Sequence, residues 1–334
     1  MNDRIKIGLA FFGIYIVWGT TFLAISFALK GFPPFILSGL RFSIAGILLF
    51  AYAVLIGGKV WKLADWKKSG MVGLLVLTGG TGLLTWGEQY VSSTEACTIE
   101  AAGPLLFIAA DRKNWSFYFS NKTIIAGLLT GFAGVILFLS GSLLSSATGQ
   151  AELKTGGIFA IIIATCCWVS GSLLVKKDHA QKDVSIPIAQ QLIVAGASCL
   201  FISVIRNEPD EISIVDIPAI AWFSLVYSVL LGSIVAYFSY QYLLTVMKPA
   251  IVSTHTYINP VVALLAGTLL AGEKISTIQG IGLLVILGGV FLTNINGLFS
   301  KKPEWYKTGR LFRWIKKQKR RDMATRRSFI KQRL

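Results

Sequence analysis

The residues of this sequence that could do chemistry lie inside long apolar stretches. Glu100 lies in one of them, residues 93–110, one helical turn before Pro104. A carboxyl group in such surroundings can bind a cationic group or take up a proton, and its insertion into a bilayer costs about 2.5 to 3.5 kcal/mol. It could equally pair with Arg41 or with a hydroxyl group and only fix the packing of helices. Both interpretations of Glu100 stay open at this point.

A second apolar stretch, residues 249–273, matches the first at an offset of 156 residues. The match places Pro260 opposite Pro104 and Thr256 opposite Glu100. A proline inside a helix removes one backbone hydrogen bond, so we predict a helix break at each of the two prolines. Backbone groups that are freed in this way at membrane depth occur where they line a cavity or a binding site.

Other polar side chains of the apolar stretches are candidates for the same cavity. His255 could carry protons, because imidazole titrates near neutral pH, or it could be a hydrogen-bonded packing residue. Arg41 could hold a substrate carboxylate, or it could extend outward and anchor its helix. At an offset of 150 its counterpart is the uncharged Gln191. Asn259 directly precedes Pro260 and shares a polar stripe with Thr256.

Aromatic rings could contribute to the cavity as well. Trp18 and Trp168 correspond at an offset of 150, and both lie too deep in their apolar segments to be simple interfacial anchors. Rings of this kind can surround an apolar or a cationic ligand. The predicted cavity residues are Trp18, Arg41, Glu100, Trp168, Gln191, Tyr240, Thr256 and Asn259, with Glu100 and His255 as candidates for proton coupling.

The composition indicates which elements must position these side chains. The 334 residues are 54% hydrophobic and only 14% charged, and the mean hydropathy is +0.66, which is too apolar for an ordinary soluble domain. Segments long enough to cross a bilayer predict an all-α membrane protein with ten transmembrane helices. They lie near residues 7–28, 34–57, 69–87, 93–110, 122–142, 155–175, 186–205, 217–243, 249–271 and 276–297.

The two halves of the chain resemble one another. Each half contains five predicted helices, and because five is odd, the second half must be inserted upside down relative to the first. We therefore predict two inverted five-helix repeats, residues 5–142 and 155–297, followed by a basic tail, residues 298–334. The matching Trp and Pro positions favour this interpretation over a chance likeness between apolar helices.

The distribution of Lys and Arg predicts that both termini are cytoplasmic. Outside the tail, 13 of these residues lie on the side of the N-terminus and 4 on the opposite side. Residues 301–334 hold fourteen Lys and Arg and two acidic residues, so they supply +12 of the net charge of +16. Such a tail could lie on anionic lipid. A solvated tail is the simplest alternative, and binding to nucleic acid is the poorer interpretation.

Short motifs follow one another in a fixed order along residues 5–297. They are the run Val17-Trp18-Gly19-Thr20-Thr21-Phe22, then Arg41, Trp86 ahead of Gln89-Tyr90, Pro104, Pro260 and Gly272-Glu273. Together they resemble the EamA-type branch of the drug/metabolite transporter superfamily. The resemblance implies two EamA repeats, ten helices, a central cavity between the halves, and export or exchange of small metabolites by alternating access. One departure is that the fourth predicted helix ends in Ala110–Trp115 and not in Gly-Glu.

We therefore expect a multi-pass inner or plasma membrane protein that works as a secondary transporter, with export as its direction. Small metabolites, amino acids or drugs are the expected substrates, and a channel or a membrane sensor that signals through its basic tail is the alternative. The two histidines lie in no metal-ligand pair or nucleophile-base arrangement, so we expect no metal, no cofactor and no enzyme. Glycines at 127, 131 and 134 and at 280, 282, 288 and 289 predict close helix approach, and the two helices that carry them could also form a homodimer surface.

Overall fold

The structure, a computed structural model, describes residues 3–55, 63–112, 115–144, 151–176, 185–247, 252–273 and 276–299. In this part of the chain every extended regular element is helical. The predicted basic tail and the start of the predicted ninth segment, near residue 249, lie outside the described residues. The predictions about lipid binding by the tail therefore stay predictions.

Three of the long helices contain a π-helical segment in their interior. In chain order the helices are α1 (Asp3–Phe12, then the π segment Gly13–Val17, then Trp18–Ala28), α2 (Pro34–Leu55), α3 (Leu63–Gly73, the π segment Leu74–Gly82, Leu83–Gly87), α4 (Ser93–Glu100), α5 (Gly103–Ala110), α6 (Trp115–Phe119), α7 (Lys122–Leu144), α8 (Ala151–Lys176), α9 (Ser185–Ile205), α10 (Ala219–Tyr227, the π segment Ser228–Ala236, Tyr237–Val246), α11 (His255–Ala271) and α12 (Thr277–Phe299).

Six helices within the described ranges are long and apolar enough to cross a membrane. They are Ile5–Ala28, Pro34–Leu55, Asp65–Gly87, Glu152–Val175, Ser185–Ile205 and Ala219–Val246. Shorter apolar helices occupy Lys122–Phe138, His255–Ala271 and Thr277–Gly289. Each of these lies where the sequence predicts a helix, and the remaining predicted segment, 93–110, is divided between α4 and α5. The all-helical membrane architecture is therefore confirmed.

The two prolines behave differently. Pro104 lies in the first turn of α5, directly after the interruption at Ala101 and Ala102, so the predicted break is present there. Pro260 lies inside α11, which continues through it, and the break predicted at that position is wrong. Because α11 begins only at His255, the proline falls within its first two turns and removes the partner of a single carbonyl there, that of Thr256.

Glycines bring the two halves of the chain into close contact, and they do so reciprocally. A Cβ atom on Gly46 of α2 would lie 2.8 Å from the backbone N of Ile193 in α9, and one on Gly196 of α9 would lie 2.6 Å from the N of Ser43 in α2. The same pattern joins α7 and α12, where the reciprocal pairs are Gly134 with Ile286 at 2.6 Å and Gly282 with Phe138 at 2.7 Å. The predicted role of the glycines in close helix approach is confirmed at these positions.

A loop of the second half caps a helix of the first half. One carboxylate oxygen of Glu208 accepts hydrogen bonds from the backbone N–H groups of Phe35 (3.0 Å) and Ile36 (2.9 Å) at the N-terminus of α2. Helix N-termini favour negative charge, so this cap fixes the entry of α2. Burial raises the pKa of the Glu208 carboxyl, whereas the two backbone N–H groups and the neighbouring Arg206 oppose the rise.

The Gly272-Glu273 pair joins α11 to α4. Gly272 takes the left-handed conformation with φ of 66°, which favours glycine, and ends α11. The chain then turns back, so that the carboxylate of Glu273 accepts hydrogen bonds from the hydroxyls of Ser93 and Thr94, both at 2.5 Å. We call this set of contacts the Glu273 latch. It lies at the end of the molecule where α4 begins.

The segment after α5, which lacks the Gly-Glu motif, ends its helix in a different way. After α5 the carboxylate of Asp111 accepts a hydrogen bond from the Tyr118 hydroxyl at 3.0 Å. The indole N–H of Trp115 donates to the carbonyl of Ile108 at 2.8 Å. The short helix α6 is thus folded back onto the end of α5, in place of a glycine-ended turn.

Candidate functional site

A cavity opens between the helices of the two halves, with about 600 Å³ of space that no atom occupies, part of it open to solvent. It gathers six of the eight predicted cavity residues, together with His255. The lining residues are Trp18, Thr21, Phe22, Ile25, Arg41, Thr81, Leu84, Glu100, Gly103, Phe107, Thr165, Trp168, Val169, His255, Thr256 and Asn259. We call this space the central cavity.

Two tryptophans form one side of the central cavity, and a tyrosine packs behind them. The rings of Trp18 and Trp168 meet edge to face with centroids 5.3 Å apart, and each lies 5.1 Å from the ring of Tyr240. The indole N–H of Trp168 donates to the Tyr240 hydroxyl at 3.0 Å, and that hydroxyl donates to Ser172 at 2.8 Å. Tyr240 is therefore buried behind the tryptophans and holds them in place, and it does not line the central cavity itself.

Gln191 lies in a second cavity, which Asp65 and Lys68 also line. Its side-chain oxygen accepts hydrogen bonds from the Tyr237 hydroxyl at 2.5 Å and from the amide of Gln241 at 3.1 Å. The structure thus separates Gln191 from Arg41, its counterpart in the first half, and only Arg41 reaches the central cavity.

Arg41 does not extend outward to the surface. Its side chain is buried, and its Nε donates to the hydroxyl of Ser233 at 2.7 Å. Its Nη1 has no hydrogen-bond partner in the described part of the chain. Gly232 allows this placement, since a Cβ there would lie 2.9 Å from Nη2 of Arg41. Arg41 therefore lines the central cavity and has one donor nitrogen without a partner among the described residues, and its side chain does not reach the surface as an interfacial anchor would.

Glu100 stands at the last residue of α4, directly before the interruption that precedes Pro104. It lines the central cavity and accepts no hydrogen bond from the residues that the structure describes. The alternative in which Glu100 only fixes helix packing, by pairing with Arg41 or a hydroxyl, is therefore not found. The cavity contains one cationic and one anionic side chain, and neither neutralises the other by direct contact.

His255 and Asn259 are both held by backbone groups. The Nδ1 of His255 lies 2.8 Å from the carbonyl of Val252, and its ring lies 5.1 Å from that of Trp18. The amide nitrogen of Asn259 faces the carbonyls of Ile14 (3.2 Å), Tyr15 (3.1 Å) and His255 (3.0 Å). Asn259 thus binds the π segment of α1, whose carbonyls are not all used by a regular helix.

Sequence reasoning missed several groups near the cavity. The hydroxyl residues Thr21, Thr81 and Thr165 line it, and among these only Thr21 belongs to a motif noted in the sequence. Glu88 was missed as well, although it is buried and its charge interacts with those of Arg41 and Glu100. It directly follows an apolar segment, where a charged residue is usually the point at which a helix leaves the membrane. The close contact at the neighbouring Gly87 is visible only in the structure, so the sequence has no clear signal for it.

Comparisons with known proteins agree with this arrangement. The sequence model of the EamA-like transporter family matches residues 5–140 and 155–295. A protein of Escherichia coli named "Uncharacterized inner membrane transporter YedA" is 33% identical over 305 residues, which cover 88% of this chain and 92% of that protein. The "Uncharacterized transporter sll0355" of Synechocystis is 26% identical over 314 residues, 88% of this chain and 91% of that protein.

The fold is also similar to that of a protein of known crystal structure. It superposes with a TM-score of 0.65 and 20% sequence identity, and covers 88% of this chain and 99% of its own. At this identity the likeness supports the fold alone. The family model matches both halves of the chain, and the alignment with YedA covers most of both proteins. The chain is a multi-pass membrane transporter and belongs to the EamA-like transporter family.

Proposed function

We propose that the chain is a secondary transporter that exports small amphipathic molecules through the central cavity. The observation that carries this proposal is the pair of unmatched opposite charges in an otherwise apolar and aromatic cavity. Arg41 has a free donor and Glu100 has free acceptors among the described residues, and the walls between them include Phe22 and Phe107. Binding sites of transporters and of small ligands have this composition, in which few polar groups orient a largely apolar molecule.

The substrate class follows from the same groups. A carboxylate or another anionic group of the ligand would bind the unused Nη1 of Arg41, and an ammonium group would bind Glu100. The aromatic side formed by Trp18 and Trp168 suits an apolar or cationic portion. Amino acids and small drugs with both kinds of group fit this pattern best. The hydroxyls of Thr21 and Thr165 would add hydrogen bonds to such a ligand.

The proposed architecture is two inverted repeats of five helices, which makes ten helices in all. The reciprocal glycine contacts support it, because two segments related by a two-fold axis must make each contact twice with the halves exchanged. Gly46 meets Ile193 and Gly196 meets Ser43, with one offset of 150 residues, and the pairs between α7 and α12 share an offset of 148. If the halves were unrelated, we would not expect the two contacts of each pair of helices to be related by a single sequence offset.

The proposed mechanism is alternating access, in which the two repeats rock about the central cavity. At the end where α4 begins, the Glu273 latch and the ion pair of Lys154 with Glu95, 2.8 Å long, bring α11, α4 and α8 together. We assign this end to the side opposite the cytoplasm, on the charge distribution of the sequence. Opening it requires these contacts to separate, and export then releases the ligand there.

Reconstituted proteoliposomes test the proposal. Purified protein is first screened by thermal shift against pools of amino acids, other small metabolites and drugs, since a ligand that binds the folded state raises Tm. The compounds found are then followed across the vesicle membrane. We expect saturable flux that an excess of unlabelled compound on the opposite side accelerates. Absence of saturable flux for every pool and in both directions would contradict transport, and ion conductance without it would point to a channel.

A further inference from the structure

One buried carboxyl group lies outside the lining of the central cavity and has no role in the binding site described above. Glu88 caps the last segment of α3, and its side chain is only 5% exposed. Both of its carboxylate oxygens are buried without a hydrogen-bond partner in the described part of the chain. Leaving a charge in this condition is unfavourable, because burial shields the oxygens from solvent and no described group donates a hydrogen bond to them.

The neighbouring carboxylates are treated differently by the fold. Glu95 binds Lys154 at 2.8 Å and also the backbone N–H of Ser92 at 2.9 Å. The carboxylate of Glu273 is held by two hydroxyls in the latch, and Glu208 is held by two backbone N–H groups. These three carboxylates therefore have partners in the fold, whereas Glu88 has none among the described residues.

Arg41 does not supply the missing partner. The charges of Arg41 and Glu88 interact, but Nε of Arg41 donates to Ser233, and neither its Nη1 nor the Glu88 oxygens have a hydrogen-bond partner among the described residues. The two groups therefore do not satisfy one another. The residue before Glu88 packs closely on α8, where a Cβ on Gly87 would lie 2.9 Å from the carbonyl of Gly157.

The groups that interact electrostatically with Glu88 are two carboxyls, a thiol and a guanidinium. Glu100 and Cys97 come from α4, Glu273 follows α11, and Arg41 comes from α2. In α8, the charged residue nearest in sequence to Gly157 is Lys154. Its ammonium group is already paired with Glu95. Among these groups the strongest electrostatic influence on Glu88 is that of Glu100, a like charge. Two carboxylates that interact in this way tend to hold a proton on one of them.

We propose that Glu88 is a proton-binding site, separate from the central cavity, whose proton is coupled to the state of Glu100. When Glu100 is ionised and unoccupied, Glu88 holds its proton. When a cationic group binds Glu100 and neutralises its charge, the repulsion falls and Glu88 releases the proton to water on the side of the membrane to which the protein is then open. An exchange of a substrate cation for a proton would allow a proton gradient to drive export of the substrate against its own gradient. The link to transport rests on the proposed role of Glu100, whereas proton binding by Glu88 does not.

Infrared difference spectroscopy of the full chain in lipid tests proton binding without any substrate. The carbonyl stretch of a protonated, buried carboxyl group is recorded while pH is varied, in sodium-free buffer and in sodium buffer. We expect the wild type to show such a band, Glu88→Gln to lose one component, and Glu95→Gln, whose carboxylate already has a lysine partner, to keep it. Glu88→Asp keeps a carboxyl and should shift the component, which gives a readout if Glu88→Gln does not fold.

Coupling is tested in the same spectra. In Glu100→Gln a like charge is removed, so the Glu88 component should disappear at lower pH than in the wild type. A Glu88→Gln spectrum identical to that of the wild type would overturn the proposal, and so would a component that sodium removes at constant pH, since that result indicates a metal-ion site. Failure of the proposed function is distinct: flux would be absent from proteoliposomes while the Glu88 component remains.

Discussion

At the scale of single residues, the central cavity is lined by one acidic and one basic side chain, and neither forms an ion pair among the described residues. The glutamates at the end of the molecule where α4 begins show that the fold can supply partners where it needs them, as in the ion pair of Glu95 with Lys154. Arg41 and Glu100 lack such partners in the described residues and are therefore available to a ligand. The chemistry of transport is expected to depend on these two side chains more than on the hydrogen-bonded His255.

Glu100→Gln is expected to leave membrane insertion intact and to abolish the pH dependence of flux. The amide keeps the size of the side chain and its hydrogen-bonding capacity, but it carries no charge, so a bound substrate can no longer change the protonation of Glu88 through it. Flux into proteoliposomes at mildly acidic and mildly basic pH measures the effect. Glu211→Gln, an exposed residue in the loop after α9, is the matched control. A pH profile of Glu100→Gln equal to that of the wild type would reject Glu100 as the coupling group.

Arg41→Gln is expected to weaken the binding of substrates that carry an anionic group. A hydrogen bond to a charged group contributes about 1.5 to 3 kcal/mol, which corresponds to a loss of roughly ten- to a hundredfold in affinity. The apparent KM for counterflow measures it. Arg41→Lys should restore only part of the loss, because lysine lacks the planar fork of donors. Equal KM values for the wild type and Arg41→Gln would place the anionic group of the ligand elsewhere.

At the scale of the helices, close backbone contacts position the cavity walls. The contact of α3 with α8 depends on Gly157, where a Cβ would lie 2.9 Å from the carbonyl of Gly87, whereas its neighbour Gly156 has no atom within 4 Å of such a Cβ. The two adjacent glycines of one helix thus differ only in the face that they occupy. They offer a matched pair for a test.

Gly157→Ala is expected to destabilise the protein by about 1 to 3 kcal/mol, because the added methyl group forces α3 and α8 apart. Gly156→Ala should be neutral, or stabilising by less than about 1 kcal/mol, since alanine favours the helix and meets nothing. Thermal unfolding in detergent compares the two variants. Equal Tm values would show that the contact contributes nothing to the fold.

Glu208→Ala is expected to lower stability by about 1 to 3 kcal/mol, because two backbone N–H groups at the start of α2 lose their acceptor. Glu211→Ala, in the same loop but exposed, should change stability by less than about 0.5 kcal/mol. Thermal unfolding of both variants gives the comparison. Water could replace the cap if the loop opens freely, and then Glu208→Ala would match its control.

Much of the fold could be predicted from the sequence, because hydrophobic length alone specifies a membrane helix. The same holds for Trp18, Arg41, Glu100 and Trp168, since a polar or large aromatic group deep in an apolar segment usually faces the protein interior. Tyr240 was predicted to line the cavity, whereas in the structure its hydroxyl contacts Trp168 and Ser172 behind the cavity wall. Such pairings depend on helix rotation, which hydropathy does not determine.

Other features could not be predicted for physical reasons. The continuity of α11 through Pro260 depends on where that helix begins, and helix starts have only weak signals in an apolar sequence. The π segments have no characteristic amino-acid composition by which the sequence could predict them. Glu88 was overlooked because its burial results from the contact between α3 and α8, which is a tertiary effect. The sequence specifies each helix far better than it specifies the surfaces on which two helices meet.

At the scale of the whole molecule, the asymmetry of charge supports the proposed orientation in the membrane. Outside the tail the Lys and Arg residues are distributed 13 to 4 between the two sides, and the tail adds fourteen to the richer side. Each of the two halves has basic residues at the connections that we propose to be cytoplasmic. In this proposed orientation the Glu273 latch lies on the opposite side, where the proposed export pathway ends.

Reporter fusions test the orientation. A green fluorescent protein fused after Leu334 is expected to fluoresce, and alkaline phosphatase fused there should be inactive, because phosphatase needs an oxidising compartment. Phosphatase fused after Thr148, behind five predicted helices, is expected to be active. The reverse pattern would invert the assignment of the latch and with it the proposed direction of transport. A chain that ends before residue 301 and keeps its flux would show that the tail is not part of the transport mechanism.

The π segment of α1 divides that helix into two parts with separate surfaces. Each α-helical residue turns by about 100°, so a turn that takes in one extra residue rotates everything after it relative to a regular helix. Before the segment, Leu9 and Phe12 are exposed, and after it Phe22 and Ile25 line the central cavity. Substitutions in the second part can therefore change what the cavity accepts while the lipid-facing surface of the first part stays as it is. A single span can in this way adapt to new substrates without losing its place in the membrane.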